Sequence, residues 1–185
     1  MGAAYKFGWI PDEERAYECA HVWSREKTTG PERLVIAPRA RQVDLILEFL
    51  RVMPEPFWIL YELKVPRGKG EPGRYQSAEP LNRREAEAFL RRFEAFFEND
   101  GRHDIWIAST TTSDLLVCDN HNVIYAYGQM PELEGLLSQR GLTKVNRVSF
   151  PVPHSHKYNQ EFDEEQQEVL KYLTWKVSPL QESDD

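Results

Sequence analysis

Between Phe57 and Gly128 the spacing of apolar residues changes from two to three-and-four and back to two, which restricts the chain to helices laid on a sheet. Phe57, Ile59, Tyr61, Leu63 and Val65 alternate with Trp58, Leu60, Glu62 and Lys64, giving a strand with one wholly apolar face. Its second face is apolar only at the start, so the strand is expected to emerge toward solvent near Lys64. Asn82 with Glu85 three residues on is a capping pair, and Leu81 can staple against Ala86. The helix they start carries Ala86, Phe89, Leu90, Phe93, Phe96 and Phe97 on one stripe, and Asn99, Asp100 and Gly101 stop it. A strand from about Asp104 to Ala108 follows. After the hydroxyl run of residues 109–113, Leu115 to Cys118 and Val123 to Tyr127 read as a hairpin. Its turn, Asp119 to Asn122, consists of residues that tolerate left-handed backbone.

The flanking segments extend this pattern. Pro11 with Asp12, Glu13 and Glu14 predicts an amphipathic helix presenting Ala16, Tyr17, Ala20 and Trp23, followed by a strand at Leu34, Val35 and Ile36. Tyr5, Phe7 and Trp9, in the segment before it, are expected to fold back onto the domain rather than reach for a partner. A helix between Arg39 and Met53 is apolar on most sides, so it is either buried between layers or offers surplus apolar surface to a second copy in a homodimer. A short helix with Leu133, Leu136 and Leu137 inward, a last strand from Val145 to Phe150, and a helix from Asp163 with Gln166 in the capping-box position complete the order. The fold class is α+β: a mixed, mainly antiparallel sheet of about five or six strands with helices packed on it. Residues 1–177 read as one domain, with an amino-terminal arm and helix over residues 1–32, and residues 178–185 read as a solvated acidic tail.

Composition narrows the function classes. A net charge of −7 argues against general nucleic-acid binding. The charge is polarised: between Glu62 and Arg92 eight basic residues face five acidic ones, a local +3 that leaves −10 for the rest. The acidic pole lies toward the carboxyl end, where Glu161, Asp163, Glu164, Glu165 and Glu168 gather. Cys19 and Cys118 have no metal-ligand or redox spacing, no stretch can span a bilayer, and the first ten residues have no leader pattern, so the expected compartment is the cytoplasm.

No established catalytic signature is present, and no cofactor is implied. Arg67, Lys69 and Arg74, in the Gly/Pro-rich loop between Pro66 and Pro80, together with Arg83 and Arg84 form a candidate site for an anion or an acidic partner. His154 and His156, two apart in an extended segment, point to one side and are candidate ligands for one divalent metal. A third ligand would have to come from His103, His121, Asp119 or Asp163. Ser109 to Ser113 with Asp114 and His103 or His121 contain the members of a Ser/His/Asp triad but no nucleophile elbow, and a polar loop explains the run. The leading expectation is a non-catalytic module that recognises a protein partner through an apolar patch and a charged pole, in the manner of a bacterial immunity protein. Its alternative is a small enzyme or ligand-binding protein using the anion loop and metal at His154 and His156.

Overall fold

The computed structural model describes residues 4–10 and 15–181. Four strands come first: β1 (Phe7–Trp9), β2 (Arg15–Ala16), β3 (Val22–Glu26) and β4 (Arg33–Ala37). Helix α1 (Gln42–Val52) ends before Pro54, and β5 (Phe57–Leu63) and β6 (Gly73–Ser77) pair as an antiparallel hairpin. Helices α2 (Arg83–Arg92) and α3 (Glu94–Asn99) run end to end into the meander β7 (His103–Ser109), β8 (Leu115–Cys118) and β9 (Ile124–Tyr127). Last come α4 (Met130–Gln139), β10 (Thr143–Lys144), β11 (His154–His156), a 3-10 turn at Gln160–Phe162, α5 (Asp163–Tyr172) and β12 (Trp175–Ser178).

The main sheet has nine strands in the order β10-β3-β4-β9-β8-β7-β5-β6-β12, rather than the five or six expected, and all neighbours are antiparallel except β10 with β3. The additional strands are those whose pairing partners compensate for weak local pattern. β6 lies inside the stretch read as a loop, yet its Gln76, Tyr75, Arg74 and Gly73 pair with Leu60 to Leu63 of β5. β12 overlaps the expected tail and completes the edge against β6.

Side-chain alternation gives the sheet two unlike faces. Leu34, Ile36, Phe57, Ile59, Tyr61, Ile105, Ile107, Leu116 and Ile124 join the apolar stripes of the helices in one continuous core. Helix α1 is buried there along most of its length, and α2, α3 and α4 pack against it, so the apolar surplus that suggested a homodimer is covered by the same chain. The capping box of α2 forms as read: Asn82 accepts from the Glu85 amide at 3.0 Å, and Glu85 accepts from the Asn82 amide at 2.9 Å. On the opposite face, Glu62 is 1% exposed, between Arg74 and Asp104 in the strand register, while Lys64, where the spacing predicts emergence, is half-buried.

A second, three-stranded sheet in the order β11-β1-β2 stands beside this open face. A small cluster of Cys19, Val35, Ala37, Val123 and Val148 joins the chain after β2 to the sheet. Phe7 is buried, as expected of a segment that folds back. The helix predicted from Pro11 is replaced: residues 11–14 lie outside those described, and residues 15–26 contain β2 and β3. The three-and-four spacing of Ala16, Tyr17, Ala20 and Trp23 is overridden by ladders to β1 and β4. The strand expected from Val145 to Phe150 is irregular, with the local ladder confined to β10.

Buried Arg102 fastens the small sheet to the core. Its Nε donates to Asp100 Oδ1 at 2.7 Å, its Nη1 to Gln166 at 2.8 Å and Asp163 at 3.1 Å, and its Nη2 to the Asn159 carbonyl at 2.8 Å. Asp163 and Gln166 are thereby drawn to Arg102, and the predicted capping box at the start of α5 does not form. The Asn159 amide donates to Asp100 at 2.6 Å, which fixes the chain three residues beyond β11. Gly101 allows the close approach. A Cβ there would stand 2.8 Å from the Lys6 carbonyl and 3.1 Å from His156 Cβ.

Candidate metal centre

Three histidines meet where the tip of the β8–β9 hairpin touches β11. The tip is organised by Asp119, whose Oδ1 accepts from the amides of His121 and Val123 at 2.9 Å each. Asn122 takes the left-handed conformation expected of this turn, with φ 62°, and its side-chain amide donates to the Glu98 carbonyl at 2.8 Å. This leaves Asp119 Oδ2 3.1 Å from His121 Nδ1. On β11, His154 and His156 point to one side, as the two-residue spacing requires. One candidate ligand atom from each of His121, His154 and His156 lies within 4.8 Å of those of the other two.

The hydrogen bonds fix the chemistry of the rings. His121 Nδ1 faces a carboxylate, His154 Nδ1 faces the Pro151 carbonyl at 3.0 Å, and His156 Nδ1 faces the Asn120 carbonyl at 3.2 Å. Each partner is an acceptor, so each Nδ1 carries the proton, and the neutral ring leaves its lone pair on Nε2. Imidazoles that ligate metals almost always hold their second nitrogen in this way. Zinc ligands at about 2.0–2.1 Å from the ion stand roughly 3.3 Å apart in a tetrahedron, so ring movements on the order of an ångström complete the set.

Packing favours the neutral form of His156. Phe7 lies beneath the trio, with ring centroids 5.0, 4.9 and 5.7 Å from His121, His154 and His156. Burial, followed by the neighbouring His121, lowers the His156 pKa to about 4, so this ring is uncharged in neutral solution. The cluster opens into a cleft of about 490 Å³ on the uncovered sheet face, walled by Trp106, Leu115, Val117, Tyr125 and Tyr127, with Arg33, Glu62, Lys64 and Asp104 among its polar groups.

The other candidates are placed elsewhere. Arg67 pairs with Asp163 at 3.0 Å, Arg74 stands 3.6 Å from Glu62, Arg83 pairs with Glu55 at 3.3 Å, and Lys69 and Arg84 are exposed, so the five cations are not gathered into one site. The basic and acidic poles instead meet each other, through Arg67 with Asp163 and Arg92 with Glu168. Of the possible third ligands only His121 joins the pair: His103 lies on the helix-covered face against Tyr61, Phe96 and Phe97, and Asp163 is held by Arg67 and Arg102. Ser109 Oγ donates to the Pro54 carbonyl at 2.7 Å and Asp114 accepts from Thr112 at 2.9 Å, which makes the hydroxyl run a structured turn. The cleft residues Glu62, Asp104 and Trp106 were not singled out from sequence. Their signal was the charged second face of β5 and its register with β7.

No family model, curated protein or solved structure matches this chain. No helix among the described residues is long and apolar enough to cross a membrane.

Proposed function

We propose that this protein is a metal-dependent enzyme whose single divalent ion, zinc by ligand type, is held by His121, His154 and His156 with one coordination position open to the cleft. The observation that carries this is the matched set of Nδ1 partners, Asp119, Pro151 and Asn120, which leaves the Nε2 lone pairs to a metal on three rings whose candidate ligand atoms lie within 4.8 Å of one another. Structural zinc sites are closed by four protein ligands, whereas three histidines with a free fourth position is a catalytic arrangement. The adjoining cleft has the size and mixed lining of a small-molecule site. Two buried free thiols support a reducing compartment, and we place the protein in the cytoplasm. This reading is preferred to a protein-recognition module because the two features behind that expectation, the apolar α1 helix and the charged poles, are occupied within the chain.

Equilibrium dialysis of the metal-stripped protein against zinc tests the proposal. One ion per chain is expected, falling to background in His154→Ala, whose ring is exposed. Binding well below one ion per chain, or full binding by that variant, would refute it.

A further inference from the structure

A row of charged side chains crosses the open sheet face toward the histidine cluster. Arg74, Glu62 and Asp104 stand directly opposite one another on β6, β5 and β7. The last paired residues of β7 and β8 in this direction are Ile105 and Cys118, so the next position facing Asp104 belongs to Asp119, the residue that orients His121. Cross-strand neighbours have Cβ atoms about 4.5–5.5 Å apart. Asp104 is 6% exposed; its Oδ2 accepts from Lys64 Nζ at 3.0 Å, and its Oδ1 has no hydrogen-bond partner. A buried carboxylate oxygen without a donor is costly, and this one belongs to a residue lining the same cleft as the three imidazoles.

Resting on the metal reading above, we infer that Asp104 is the proton acceptor of a hydrolytic centre that cleaves a neutral acyl compound, an ester or amide, seated along Trp106 and Tyr125. A water on the ion loses its proton to the Asp104 carboxylate, and the resulting hydroxide adds to the acyl carbon. The bond to the leaving group then breaks, and that group takes the proton back from Asp104, so water is the only co-reactant. A neutral acyl group fits better than a phosphoester: the cleft carries Glu62, Asp104 and Asp119, and its cations Arg33 and Lys64 are already paired with Glu26 at 2.7 Å and Asp104 at 3.0 Å. The charged groups facing Asp104 are Lys64 and Glu62 from β5, Asp119 at the end of β8 and Lys6 beside β1. Burial outweighs Lys64 and holds the Asp104 carboxyl above the usual carboxylate range, which improves it as a base.

Cobalt(II) in place of zinc provides a readout that needs no substrate, because its visible absorption reports both coordination and ionisation of a bound water. The cobalt-loaded wild type should show one spectral titration between about pH 6 and 10. Loss of the neighbouring negative charge in Asp104→Asn should move it to lower pH by about one unit, a tenfold change in the equilibrium, and Lys64→Met should move it upward. If Asp104→Asn does not fold, the direction of the Lys64→Met shift decides alone. A wild-type spectrum constant across this range, or variants that bind cobalt with unmoved titrations, would overturn the role of Asp104 while leaving the metal site standing. A protein that takes up no cobalt would instead remove the metal site itself.

Discussion

Asp119 holds His121 twice, through the His121 backbone amide at 2.9 Å from Oδ1 and through the ring Nδ1 at 3.1 Å from Oδ2. A single carboxylate thus sets both the turn and the tautomer. Asp119→Ala should weaken zinc binding by about 10–100-fold, the usual cost of losing such a partner. Competition against a chromogenic chelator measures it. An unchanged affinity would mean that the ring is oriented by its contacts with Phe7 and Phe150 alone.

The two poorly solvated histidines predict acid sensitivity. Burial, then His121, lowers His156 to about 4, and burial among aromatic rings pushes His103 well below its ordinary value of about 6.5. The unfolded chain then takes up protons that the folded chain refuses, so stability is full above pH 6.5 and falls as the pH drops toward 4. His156 contributes on the order of 2 kcal/mol to that loss. His103→Phe, which deletes two buried nitrogens without partners, should raise stability at pH 7 by about 1 kcal/mol and flatten the acid slope. Urea melts at pH 7 and pH 5 report both quantities, and an unchanged slope would contradict this account of His103.

Arg102 and Asp100 are both fully buried, so removing one partner strands the other. Arg102→Leu should cost about 3–5 kcal/mol, and the double variant with Asp100→Leu should recover part of it. A thermal melt in which the single variant behaves as wild type would show that the pair is not the clamp described here.

Gly101 joins that clamp to the metal centre. In Gly101→Ala the new methyl meets the Lys6 carbonyl and His156 Cβ, so β1 or β11 must shift. Zinc affinity should fall along with stability, by about tenfold or more if His156 moves out of ligand range. Wild-type affinity in a destabilised variant would show that the strain is absorbed away from β11.

What sequence conveyed, and what it did not, follows the range of each interaction. The Asn82–Glu85 box, the alternation of β5 and the left-handed turn at Asn122 are local and were legible in spacing alone. β6 and β12 were hidden because Gly73, Arg74 and Lys176 carry little strand signal and are recruited by register with β5 and with each other. His154 and His156 declared themselves through their two-residue spacing. His121, 33 positions before His154 in the sequence, reads in isolation as a turn residue, and the seating of β11 against the hairpin tip, where His156 Nδ1 faces the Asn120 carbonyl, brings it to them. The burial of Glu62 leaves no mark in the spacing, because its neighbours across the sheet, Arg74 and Asp104, are distant in sequence.

X-ray absorption at the zinc edge of the reconstituted protein tests the central claim most directly. Three imidazole nitrogens and one further light atom, all at about 2.0–2.1 Å, are predicted. A sulfur shell near about 2.3 Å, or a shell with no imidazole scattering, would contradict a centre built from His121, His154 and His156.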